Sequence, residues 1–219
     1  MNDQNMVLYS YWRSSASYRV RIALALKGID AVIHPVHLVQ DGGQQHKPEY
    51  LALNPQGLVP CLVHGPAVLT QSLAIIEYLE ERFPSPALLP SGPLERARVR
   101  MFAQAIASDI HPLNNLRVLK YLEDESGLDG ESRTRWYRHW VETGLLALES
   151  QLRAVPGKPP FCFGPAPGLA DCLLLPQVYN ARRFDCQMQD CERILDICRR
   201  LETDERIQRA APENQPDAE

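Results

Sequence analysis

The stretch Phe83-Pro84-Ser85-Pro86-Ala87-Leu88-Leu89-Pro90-Ser91-Gly92 holds three prolines, and neither a helix nor a sheet ladder propagates through a segment so short of backbone donors. Hydropathy changes character across it. Before it, apolar residues recur with periods of both two and 3.6; beyond residue 93 almost every periodic segment is helical. A chain built this way predicts two domains joined by a proline-rich linker, an α/β domain first and an all-α domain second.

Within the first part, residues 6–12 read as a short apolar and aromatic strand, and residues 15–27 as a helix. That helix carries Val20, Ala23, Leu24 and Lys27 on one face, widened by Ile22, Leu26 and Ile29, and Gly28 stops it. Residues 31–38 read as a second strand, giving a strand–helix–strand unit with a right-handed parallel crossover. Asp41-Gly42-Gly43 is a loop and Asn54-Pro55-Gln56-Gly57 a turn. Residues 58–63 pair with Val68 and Leu69 in a hairpin around His64-Gly65-Pro66, and residues 72–82 form a helix. Beyond the linker the pattern predicts helices over 94–125, bent at Pro112, then over 131–154, 169–184 and 192–201. The polar, proline-bearing tail from Ala211 is expected to fray.

With 23 Lys plus Arg against 27 Asp plus Glu, the net charge of −4 provides no basic field for a polyanion, so nucleic acid and anionic membrane are poor partners. No apolar run reaches the roughly 20 residues that span a bilayer. Met1 to Asn5 has neither a basic nor an apolar leader region, so a cytoplasmic setting is expected. Of the six cysteines, Cys61 stands alone and the others crowd residues 162–198 without a Cys-x-x-Cys pair; reduced thiols and no metal are the expectation.

Ser14-Ser15-Ala16-Ser17 lies between the first strand and the first helix, where hydroxyls and free N–H groups meet the positive end of a helix. One serine there is an N-cap; the same place attracts an anion. Val59-Pro60 falls at the start of a predicted strand, where proline fits a strand's first position or a cis bond. Gln71-Ser72 again sets an amide and a hydroxyl at a helix start, where a ligand carboxylate can take up the missing helical hydrogen bonds.

Taken together, Arg13-Ser14-Ser15-Ala16-Ser17-Tyr18-Arg19-Val20-Arg21-Ile22-Ala23-Leu24, Ala52-Leu53-Asn54-Pro55, Val59-Pro60, the helix beginning Gln71-Ser72-Leu73-Ala74-Ile75-Ile76-Glu77-Tyr78, Asp109-Ile110-His111-Pro112-Leu113-Asn114-Asn115-Leu116-Arg117 and Pro176-Gln177-Val178-Tyr179-Asn180-Ala181-Arg182-Arg183-Phe184 resemble the zeta class of the glutathione transferase superfamily over nearly the whole chain. Ala16 stands where zeta members commonly have cysteine, Tyr18 where they commonly have tryptophan, and Gly168 where the superfamily has a Ser or Thr cap before Asp171.

The resemblance implies a thioredoxin-like glutathione-binding domain over about residues 1–85, a helical substrate domain over 90–212, and a homodimer. It also implies glutathione-dependent cis–trans isomerisation of a maleyl keto acid, by thiolate addition, rotation and expulsion. Maleylacetoacetate and maleylpyruvate remain alternative substrates. A conjugating transferase or dehalogenase on the same site, and a silent glutathione-binding module, are the competing readings. In the implied site Ser14, with Ser15 beside it, donates to the sulfur. Gln56, Val59, Gln71 and Ser72 bind glutathione, Ser72 with Gln71 holding a carboxylate. Arg13 and Arg183, then Arg117, answer the carboxylates and the enolate charge of the small anionic substrate. His111 and Asn115 contact glutathione or a carboxylate, or else fill backbone groups freed by the Pro112 kink.

Overall fold

The structure, a computed structural model, describes residues 6–219; the reading of Met1 to Asn5 as leader-free lies outside them. Strand β1 (Met6–Ser10) leads into helix α1 (Ser15–Lys27), and β2 (Val32–Pro35) follows. After two short 3-10 turns come the one-turn helix α2 (Pro48–Leu51), β3 (Cys61–His64), β4 (Ala67–Thr70) and α3 (Ser72–Arg82). The sheet order is β2-β1-β3-β4, with β1 and β2 parallel and the other pairs antiparallel. This is the α/β thioredoxin-like arrangement expected, with the predicted parallel strand–helix–strand unit at its start.

Gly28 closes α1 in the left-handed conformation, φ 65°, donating its N–H back to the last turn. The strands are shorter than their apolar runs. Residues 58–60 precede β3 rather than belonging to it, and Tyr11, Trp12, Val36 and Val59 bury themselves without ladder pairing in a cluster with Tyr50 and Cys61. Helix α1 is also not amphipathic. It is buried nearly all round, because α3 and a C-terminal helix both pack on it, so the one-faced stripe of the sequence reading is corrected.

The chain separates into two compact units: one takes residues through Leu88 together with Glu202–Glu219, the other Leu89–Leu201. The expected end of the second domain at 212 and the frayed tail are thereby corrected. Helix α9 (Glu205–Ala210) buries Ile207 and Ala210, and the Arg21 Nε–H donates to the Ala210 carbonyl at 3.0 Å. A short segment anchored by side-chain-to-backbone bonds leaves little hydropathic signature.

The second unit is helical: α4 (Pro93–Gln104), α5 (Leu116–Asp124), α6 (Gly130–Arg153), α7 (Leu169–Arg183) and α8 (Glu192–Leu201). The single bent helix expected over 94–125 is in fact four segments of differing helical type. After α4 the turns widen to π-helical over Ala105–Ile110, tighten to 3-10 over His111–Asn114, and stop at Asn115. Pro112 cannot donate an i→i−4 bond, and this is where the ladder reorganises. At the start of α7, glycine at 168 has no capping side chain, but Asp171 reaches back. Its Oδ2 accepts from the Gly168 N–H at 2.9 Å and its Oδ1 from the Cys162 N–H at 3.0 Å. Among the described residues no helix is long and apolar enough to cross a membrane, and the six cysteines are buried free thiols.

Candidate active site

The strand register decides where the functional loops meet. Tyr9 pairs with Cys61, and Cys61 with Thr70. The carboxyl end of β1, the amino end of β3 and the carboxyl end of β4 therefore share one edge of the sheet. From that edge leave the Tyr11–Ser14 loop into α1, the Val59–Pro60 segment and the Gln71–Ser72 turn into α3. Two helix N-termini thus open side by side, each with a positive partial charge.

Ser14 is the N-cap of α1: its Oγ accepts from the Ser17 N–H at 3.2 Å. The capping interaction occupies a lone pair and leaves the hydroxyl proton for donation, so capping does not prevent Ser14 from donating to a ligand atom. Ser15, buried, is the first helical residue, and Ala16 behind it is half-buried. The loop carrying Ser14 is fixed from beneath by the buried Arg21. Its guanidinium donates to Ser10 Oγ at 3.0 Å and to the carbonyls of Tyr11 at 3.3 Å and Trp12 at 2.8 Å. Arg13, half-buried, donates to the Tyr11 hydroxyl at 3.3 Å and lies 5.0 Å from the centre of the Trp12 ring.

Val59–Pro60 is cis. Gln71 has φ 69° and ψ 114°, a conformation outside the usual regions for a side chain that is not glycine. Its Nε2 donates to Gln56 Oε1 at 2.9 Å, which joins the two predicted glutathione-binding glutamines. Ser72 opens α3 and is buried, accepting from Arg19 Nη1 at 3.2 Å. Cys61 follows Pro60 as a fully buried thiol whose pKa burial pushes up to about 11, consistent with a small apolar filler and not a nucleophile.

The remaining candidates belong to the second unit. Asn115 caps α5, its Oδ1 accepting from the Arg117 N–H at 3.1 Å; His111 is half-buried in the 3-10 turn before it. Arg117 is exposed on α5. Arg183 is exposed at the end of α7 with its guanidinium 5.6 Å from the Phe184 ring centre. Arg19 and Arg21 were missed as site-builders in the sequence. The signal was available: Arg-Val-Arg inside an otherwise apolar helix that proves to be buried all round. A separate groove of about 310 Å³ opens on the α2 side of the sheet, beside Tyr9, His34, Lys47 and Tyr50, and no predicted site residue lines it.

Comparison with known proteins fits this layout. The family description "Glutathione S-transferase, N-terminal domain" matches residues 8–87. A probable maleylacetoacetate isomerase of Vibrio cholerae is 49% identical over 98% of this chain and 99% of its own. The holo structure of maleylpyruvate isomerase, a bacterial glutathione S-transferase in the zeta class, superposes with a TM-score of 0.94 at 43% identity, covering 97% of this chain and 100% of that one. A maleylacetoacetate isomerase from Methylobacterium extorquens with bound malonate and glutathione gives 0.91 at 41% identity, covering 97% and 99%.

Proposed function

The chain belongs to the zeta class of the glutathione transferases, and from that premise we propose that it is a glutathione-dependent isomerase of a maleyl keto acid, turning maleylacetoacetate into its fumaryl isomer, with maleylpyruvate the alternative substrate. The observation that carries the reading is the convergence of Ser14, Val59 and Gln71-Ser72 on one edge of the sheet through the Tyr9, Cys61 and Thr70 register. These residues fit glutathione: a hydroxyl with a spare proton at one helix start, main-chain groups at Val59, and a polar turn at the other helix start. Glutathione, when bound, supplies a thiolate that adds reversibly to the maleyl double bond and so permits rotation.

The protein's residues do the rest. Ser14 Oγ–H donates to the sulfur and holds it ionised near neutral pH, helped by the α1 N-terminus. Ser72, with Gln71 and Gln56, binds a glutathione carboxylate at the α3 N-terminus. Arg13, already held against Tyr11 and Trp12, takes a substrate carboxylate or the negative charge that gathers on the substrate carbonyl oxygen; Arg183 and then Arg117 are the further guanidinium candidates. Ala16 contributes no thiol and the Cys61 thiol is buried, which supports leaving the nucleophile to the cofactor.

A homodimer and a cytoplasmic setting complete the proposal. Supporting the dimer, Leu94 and Met101 lie seven residues apart on α4 with 59% and 55% of their surfaces exposed, an apolar pair on one helix face. Extensively dialysed protein assayed on maleylacetoacetate and on maleylpyruvate tests the function. Isomerisation that requires added glutathione supports it; equal rates with and without glutathione, or no isomerisation of either acid, overturn it.

A further inference from the structure

Helix α1 buries three cationic side chains, and two of them are fully answered. Arg21 has four acceptors, the Ser10 hydroxyl and the carbonyls of Tyr11, Trp12 and Ala210. Lys27 pairs with Glu80 at 2.7 Å and donates to the Phe83 and Pro86 carbonyls. Arg19 differs. It is 1% exposed, and among the described residues its one hydrogen bond runs from Nη1 to Ser72 Oγ, its Nε and Nη2 having no partner. No carboxylate pairs with it among the described residues, and burial lowers its pKa to about 10, which still leaves a full positive charge at neutral pH. A buried, half-unpaired guanidinium is costly unless something answers its charge.

We propose that Arg19 is the positioning residue of the carboxylate site at the start of α3, where it fixes the Ser72 hydroxyl from behind and finds its counter-charge in the bound ligand's carboxylate. The inference rests on Ser72 binding a glutathione carboxylate. By donating to Ser72 Oγ, Arg19 occupies an acceptor position on that oxygen, so the serine proton is left to point away from Arg19. Its charge adds to that of the α3 N-terminus on the same spot. Without ligand the fold carries the unanswered cation; with ligand the charge is neutralised through one intervening hydroxyl. Part of the affinity for glutathione is therefore relief of a cost already built into the free protein.

Glutathione carries two carboxylates, one on its glutamyl and one on its glycyl residue, so cysteinylglycine and γ-glutamylcysteine serve as probes that each lack one. In calorimetry on the full chain, Arg19→Met is expected to weaken glutathione about tenfold or more, the range for hydrogen bonds involving charge. It is expected to weaken only one of the two truncated thiols, the one that keeps the carboxylate at Ser72. Kinetically KM for glutathione rises while kcat changes little, and Tm without ligand stays equal or rises.

In the Ser72→Ala background the Arg19→Met effect should vanish, since the two residues act through one contact. Arg19→Lys, which keeps the charge, is expected to recover most of the affinity, and Arg19→Gln, neutral but polar, is not. If Arg19→Met does not fold, Arg19→Gln decides: wild-type affinity overturns the proposal. Equal weakening of both truncated thiols by Arg19→Met, or unchanged glutathione affinity with a lowered Tm, also overturns it and leaves Arg19 purely structural. Should Ser72→Ala bind glutathione like wild type, the reading of Ser72 itself fails, an outcome separate from failure at Arg19.

Discussion

The Trp12 backbone N–H donates to Asp217 Oδ2 at 2.9 Å, so the last residues of the chain hold the loop that presents Ser14. Glu219 adds to the clasp, its Oε1 meeting His37 Nε2 at 3.1 Å and accepting from Gln40 Nε2 at 2.9 Å. Trp12 is 7% exposed, so losing this acceptor leaves a nearly buried donor unsatisfied. Asp217→Ala should lower stability by roughly 1–2 kcal/mol, within the range for such bonds, and slow turnover more than it weakens glutathione binding. Chemical denaturation and steady-state kinetics check this. Wild-type stability and turnover together would show that the tail rests on the loop without restraining it.

The arginine assignments predict a different kinetic pattern. Arg13→Ala and Arg183→Ala should reduce turnover of the maleyl substrate far more than glutathione affinity, because the charge they meet belongs to the substrate. Arg13 is the more constrained of the two, stacked on Trp12 and bonded to Tyr11. Variants that keep near-normal turnover and lose only glutathione affinity would reverse the assignment.

Asp171 is the stability test of the helical unit. Its carboxylate satisfies the N–H groups of Gly168 and Cys162 from a buried position, so Asp171→Ala should cost roughly 2–4 kcal/mol as cap and buried acceptor are lost together. Burial raises its pKa above the ordinary 3.8 although the two backbone N–H groups pull the other way. The folded state then binds the proton more tightly than the unfolded state. Stability from this group is present below pH 3.8 and declines as pH rises toward the folded value. The stability gap between wild type and Asp171→Ala should narrow over that interval in denaturation at a series of pH values; a gap that widens contradicts the shift.

Much of this was legible in the residues, and the failures have identifiable causes. Helices α1 and α3 begin and end where Ser14, Gly28 and Ser72 predict, because caps and left-handed glycines are local signals. The β1–β2 crossover followed from spacing alone. What failed depended on distant contacts. Residues 11–12 and 58–60 are apolar for burial and not for pairing. The π-helical turns before His111 arise from a reorganised backbone that hydropathy does not register. Helix α9 joins the rest of the first unit through the Arg21 bond to Ala210, and the segment after it through the Trp12 N–H to Asp217, bonds that no periodicity announces. In the site, Ser14, Gln71 and Ser72 were legible as helix starts, whereas the burial of Arg19 depends on α3 and α9 packing around its helix, contacts that no local pattern announces.

The account turns on Ser14 ionising the bound thiol. A free thiol has a pKa of about 8.5, and holding it mostly ionised at neutral pH requires a fall of roughly 2 units, about 2.7 kcal/mol. A helix N-terminus contributes about 0.3–1 kcal/mol and a hydrogen bond to a charged atom roughly 1.5–3, so the hydroxyl dominates. The direct measurement is a pH titration of thiolate absorbance in the glutathione complex of wild type, Ser14→Ala and Ala16→Cys. The account predicts a pKa well below that of the free thiol in wild type, raised by on the order of 1 unit in Ser14→Ala and little changed in Ala16→Cys. An unmoved pKa in Ser14→Ala together with a substantial fall in Ala16→Cys would contradict it.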